Sequence, residues 1–157
     1  MIKEGINIKE EPLKRSVIKE ELVWLTGDAI KAVILNQFIY WSRRVYDFDK
    51  MVEEEQKRYQ NEGKELEIEP CCGWIYKTAK LLSEETMLGL TPATIRKHLQ
   101  CLIDNGYLLE RTNPKFKWDH TRQYRVNFVK IYKLLQEQGY PLEGFKITDE
   151  TPGTTEF

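Results

Sequence analysis

Thr91-Pro92 and Gly106 bracket the segment whose structure the residues dictate most tightly. A threonine hydroxyl satisfies a free N–H at a helix start, and proline at the first helical position loses nothing by lacking its own N–H. Glycine just past the last periodic residue stops the helix. Between these marks Ile95, Leu99, Leu102 and Ile103 keep the i, i+4, i+7, i+8 spacing of a buried stripe, which predicts a helix over 92–105. The opposite face then carries Ala93, Lys97, Gln100 and Asp104, flanked by Thr94, Arg96 and Cys101. Its N-terminal half is thus small, hydroxylic and cationic.

The surrounding segments fall into a definite order. Before the helix come GWIY, read as a short strand, KTAKLLSEETM, an amphipathic helix, and LGL, a turn. After it, a strand over 107–112 leads through the loop NPKFKWDHT into a strand over 122–128, where Gln123, Arg125 and Asn127 alternate with Tyr124, Val126 and Phe128. A last helix over 129–138 ends at Gly139, with Pro141 beyond. Upstream, Thr26 is the expected cap of a helix over 28–45 with Asp28 in its first turn. That helix is apolar at Ile30, Val33, Ile34, Phe38 and Trp41, and again at Ala32, Leu35 and Ile39, so it belongs at the centre of the fold or in an oligomer interface. Residues 49–60 read as a separate exposed helix and 61–70 as a loop, together an insertion at 49–70; 1–15 read as a flexible arm and 139–157 as an acidic tail whose end, 148–157, is expected to be mobile.

The order helix, strand, helix, turn, helix, strand, loop, strand is the winged helix-turn-helix arrangement. The expected fold is therefore mostly α with a small β-hairpin (α+β), a single domain over 16–138 with extra N-terminal and C-terminal helices and the wing at 107–128. At 157 residues and 41% apolar content the chain has enough material for one core.

Charge is segregated along this order. The net charge is only -1, yet residues 89–133 hold nine basic against three acidic groups. A field of that sign over one block favours a polyanion. The loop NPKFKWDHT interleaves Lys115, Lys117 and His120 with Phe116 and Trp118, between Arg111 and Arg122. Cations on a projecting loop take phosphates, and the aromatics stiffen it; the plainer alternative folds Phe116 and Trp118 onto the core and pairs Asp119 with Arg122. A major groove requires short residues for close approach, Arg or Lys for guanine edges, and Gln or Thr for base edges. The candidate DNA-binding residues are thus Thr91, Ala93, Thr94, Arg96, Lys97, Gln100, Arg111, Lys115, Lys117 and Arg122.

Other functions find little support. No GxxxxGK[ST], GxSxG or HExxH motif occurs. His98 falls beside the apolar stripe, the vicinal pair Cys71-Cys72 fits no zinc knuckle, and Glu53, Glu54 and Glu55 wrap around a helix instead of converging. No catalytic residue, metal or cofactor is expected. The longest apolar run, 32–41, is interrupted by Asn36 and Gln37, and the mixed-charge start lacks an apolar signal core, so a cytoplasmic protein with reduced thiols is expected.

Residues 73–128 resemble a winged-helix domain of the type found in replication-initiation and replisome-organiser proteins of bacteria, their phages and plasmids. TPATIRKHLQCLIDNGYL is common to the superfamily, including many bacterial repressors, while NPKFKWDHTRQYRVN together with LTGDAIKAVILNQFIYWSRR is the more specific part. The likeness covers about residues 16–130. It implies binding of double-stranded DNA through Ala93, Thr94, Arg96, Lys97 and the wing, in replication or transcription control, with replication proteins as possible partners. A homodimer through helix 28–45 is the further expectation, and a protein-interaction module without DNA binding is the alternative.

Overall fold

A computed structural model describes residue 5 and residues 7–64, 71–147 and 155–156. The first helix, α1 (Glu20–Thr26), stops at Gly27, whose φ of 75° is the left-handed conformation that glycine adopts without strain. The chain bends there by 115° into α2 (Ala29–Asn61). The cap of α2 is Asp28, whose carboxylate accepts the Lys31 amide at 3.0 Å. Thr26, expected in that role, closes α1 instead and donates to the Leu22 carbonyl at 2.7 Å. Two helices meet at this point, and the threonine belongs to the first.

α2 runs unbroken for 33 residues, which corrects the expected division into helices over 28–45 and 49–60. Val-Tyr-Asp-Phe-Asp at 45–49 contains neither glycine nor proline, so nothing interrupts the backbone ladder. Ala32, Val33, Ile34, Leu35, Phe38 and Ile39 are all buried, because α1, α3 (Ala79–Thr86), α4 (Pro92–Asp104) and the sheet pack around this half. Both apolar stripes of the helix are therefore covered by the chain itself. The surplus apolar surface that suggested a two-fold partner at 28–45 is taken up inside the protomer. The distal half is charged and mostly exposed, with Glu53–Lys57 at 3.5 Å and Glu55–Arg58 at 2.8 Å running along it.

The molecule is mostly helical with a small antiparallel sheet, an α+β composition. β1 (Ile75–Tyr76), β2 (Leu108–Thr112) and β3 (Arg122–Val126) lie in the order β1-β3-β2, with Tyr124 opposite both Ile75 and Glu110. Leu108, Tyr124 and Val126 face the core, where the Tyr124 ring lies 5.3 Å from that of Phe38. By the two-residue period of a strand, Leu109, Arg111, Gln123 and Arg125 occupy the other face. β3 ends two residues before its expected limit because Asn127 becomes the cap of α5 (Phe128–Glu137), accepting the Lys130 amide at 3.3 Å.

Asn127 also binds backward. Its amide nitrogen donates to the Gly106 carbonyl at 3.1 Å and its backbone N–H to Tyr107 at 2.9 Å, while Lys130 Nζ donates to the Asn105 carbonyl at 2.7 Å. The C-terminus of α4 is thereby tied to the N-terminus of α5. Gly106, at φ 78°, allows it: a Cβ there would lie 2.5 Å from Lys130 Nζ.

Part of the acidic segment after α5 packs onto the fold, while the mobility expected of 148–157 lies, but for 155–156, outside the described residues. Leu142 and Phe145 are buried, and the Phe145 ring lies 5.2 Å from Phe128 and 5.5 Å from Tyr132. The acidic composition of 139–157 hid a short apolar anchor. Beyond it β4 (Lys146–Ile147) pairs with β5 (Thr155–Glu156). Residues 7–15 carry no helix or strand and are exposed. Among the described residues no single helix is long and apolar enough to cross a membrane.

Candidate nucleic-acid interface

α4 is built as its sequence indicates. Thr91 Oγ1 accepts the Thr94 amide at 3.3 Å and lies 3.0 Å from the Thr94 hydroxyl, and Pro92 opens the helix. Ile95, Leu99 and Leu102 are buried, which turns Ala93, Arg96, Lys97 and Gln100 outward; all four are exposed. Arg96 and Lys97 meet no carboxylate among the described residues. Gln100 is partly occupied, its amide donating to Asp104 at 2.8 Å. Thr94 is half-buried, and its hydroxyl is shared with the cap.

Beside α4 stands the nine-residue loop 113–121 between β2 and β3. Its base is closed by its own polar groups. Asn113 donates to Asp119 at 3.3 Å and accepts the Lys115 amide at 3.0 Å; Asp119 accepts the Thr121 amide at 3.0 Å. The Thr121 and Asn113 hydrogen bonds hold the Asp119 carboxyl below the usual range. Asp119 thus clasps the loop, and Arg122 pairs with Glu110 at 2.6 Å instead. Phe116 and Trp118 do not fold onto the core: they lie against each other at 5.5 Å and stay 50% and 75% exposed.

Between α4 and the loop runs a cleft of about 520 Å³. Arg96 forms one wall and Trp118, His120 and Arg122 the other, with Lys77 and Thr78 at the start of α3. Arg96 and Arg122 both lie close enough to Tyr124 to oppose the upward pressure that burial and Glu110 put on its phenol. Lys117 is exposed on the same loop and meets no carboxylate among the described residues.

Arg111 stands apart from the other candidates. It lies on the far face of the sheet, half-buried, with its guanidinium 4.1 Å from the Trp74 ring and Nε donating to Gln123 at 2.8 Å. Strand alternation separates it from Arg122, and it packs the sheet instead of joining the cleft. Conversely, Lys77, Thr78 and His120 line the cleft without having been candidates. His120 carried a signal, standing with the lysines and aromatics of the loop; Lys77 and Thr78 are distant in sequence from α4 and carried none.

Lys77 is the counterexample among the cleft cations. Its ammonium pairs with Glu85 and lies 4.0 Å from the Trp41 ring centre, and Glu85 also accepts from Trp41 Nε1 at 2.9 Å and Gln37 at 3.1 Å. Burial opposes ionisation of Glu85, but the bonds from Lys77, Trp41 and Gln37 outweigh it and leave its pKa lowered. His98 is partly buried with Nδ1 3.9 Å from Asp28, and burial and Lys31 lower its pKa. The three thiols are free; burial raises that of Cys71. Among the described residues no three His, Cys, Asp or Glu converge on a metal position. Comparison with protein-family models, curated proteins and solved structures gives no match.

Proposed function

We propose that the chain is a winged helix-turn-helix protein that binds double-stranded DNA, with α4 entering the major groove and loop 113–121 reaching the flanking backbone. The observation that carries this reading is the cleft that Arg96 of α4 shares with the loop, beside Lys97 and Lys117, whose charges meet no carboxylate among the described residues. Cations that stabilise a fold are matched by carboxylates; cations held outward on a capped helix and a clasped loop are available to phosphates. The order α2, β1, α3, α4, β2, loop, β3 and the sheet order β1-β3-β2 support the same module. A replication-associated or transcription-regulatory role of bacterial or mobile-element origin follows from the resemblance of residues 73–128.

The test is a titration with random and genomic duplexes across a salt series. Affinity that falls steeply with salt supports the reading, and no binding at about 50 mM salt rejects it. A protein-interaction role is favoured by a different observation: Tyr40, Phe48 and Met51 share one exposed face of α2, with Arg44 stacked 4.8 Å over Tyr40. Sedimentation over a wide concentration range, with and without DNA, separates the two; a homodimer that forms without DNA and is lost in Tyr40→Ala and Met51→Ala supports the second.

A further inference from the structure

The loop 113–121 holds its largest apolar groups away from the core. Rings that merely stiffened it would gain by burial, yet Trp118 is three-quarters exposed at 75% and Phe116 half at 50%. The backbone that carries them is closed into a turn. The Asp119 amide donates to the Phe116 carbonyl at 3.0 Å, and the Asn113–Asp119–Thr121 bonds close the loop beneath that turn. Trp118 is presented already ordered, with one ring braced by Phe116 at 5.5 Å.

Its surroundings select the occupant. Lys117 precedes Trp118 in sequence, Arg96 and His120 line the same cleft, and the acidic neighbour Asp119 is engaged by Asn113 and Thr121. An apolar protein surface would meet this cationic rim at a cost, whereas a planar base on a phosphate chain satisfies ring and rim together. Within a continuous duplex both faces of every base are already stacked. An indole on the loop beside a groove-bound helix therefore finds a free base face only where pairing ends.

We propose that Trp118, braced by Phe116, is a stacking platform for an unpaired base, so that the protein recognises a junction between duplex and single-stranded DNA, with Arg96 and Lys117 on the phosphates beside it. The proposal rests on the duplex-binding reading for the arm that α4 holds. Stacking of a base on an aromatic side chain is worth about 5- to 150-fold in affinity, with little dependence on the base.

The experiment compares the full chain with Trp118→Ala and Trp118→Phe on a blunt duplex, on the same duplex carrying a single-stranded arm, and on the arm alone. The wild type is expected to prefer the armed duplex by about tenfold or more, Trp118→Ala to bind the armed and blunt duplexes within about twofold of each other, and Trp118→Phe to recover most of the preference. Indole emission quenched by the armed duplex in the wild type, with that component missing in Trp118→Phe, supports direct stacking. A wild type that binds both duplexes equally, or a Trp118→Ala variant that keeps the preference, overturns the proposal and leaves duplex binding standing. Trp118-dependent binding of the arm without binding of the blunt duplex upholds the stacking and overturns the duplex reading. No binding of any probe overturns both. Unchanged melting of the variants, expected for so exposed a side chain, makes each outcome readable.

Discussion

Lys77 and Arg96 line the same cleft, and they put their charges to opposite uses. Lys77 is bound to Glu85 beneath the Trp41 ring, with only 11% of its side chain exposed. Its charge is consumed by the junction of α2 and α3. Arg96, on α4, meets no carboxylate among the described residues and faces solvent. Lining the cleft is therefore a poor guide to which cations are offered to a partner. What decides is whether a carboxylate has been brought to the same place by the fold.

The largest expected effect is on binding. If the α4 and loop surface neutralises about five phosphates, affinity falls about 500-fold between about 50 and 200 mM salt, and the Lys117→Ala variant lowers the slope of log affinity against log salt by about one. A fluorescence-anisotropy series measures both; a flat response removes the contrast between the two regions. The next largest effect is on stability at the α2–α3 junction. Glu85→Ala leaves Lys77 and Trp41 Nε1 partly buried without their acceptor and should lower the unfolding free energy by about 2 kcal/mol in urea melts, with salt-dependent binding retained.

Arg96→Ala and Lys97→Ala should do the reverse. Each is expected to cost about 1.5 kcal/mol in DNA affinity and to relax sequence preference, while the melting temperature stays put. A drop in melting temperature matching that of Glu85→Ala would place Arg96 with the structural cations. The smallest effect is a pH dependence. Because the folded pKa of Glu85 is lowered, its contribution is complete above the ordinary carboxylate range and is lost as pH falls through the depressed value. The stability gap between wild type and Glu85→Gln should thus be constant near neutrality and close on acidification below pH of about 4. Arg96→Ala should show no such closing gap.

The contrast also explains what could be read in advance. α4 was legible because cap, proline and stop lie within its own residues: Thr91, Pro92 and Gly106 act locally. The length of α2 was not, since charge at 47–60 resembles a change of element while the backbone needs only the absence of a breaker. Tyr140, Leu142 and Phe145 were overshadowed by the acids around them, yet Leu142 and Phe145 complete the core. Within the candidate site, outward residues of α4 followed from helical period, but that Arg111 lies on the sheet face away from the cleft did not, because its face depends on how β2 pairs with β3. Register is a property of two strands, and one sequence segment does not contain it.

The bonds joining Asn127 and Lys130 to the end of α4 have a mechanical meaning. α4 cannot roll about its axis without pulling on the first turn of α5, which is itself held against Phe145 through Phe128. The azimuth of Arg96 and Lys97, set by the buried stripe of α4, is thus also held from the end of the helix farthest from them, and the residues after α5 act as a tuning peg. A disturbance there, such as Phe145→Ala in protein that still folds, is expected to re-aim α4 and change which sequences are preferred more than how tightly DNA is held, a difference that selection from a random duplex pool would display.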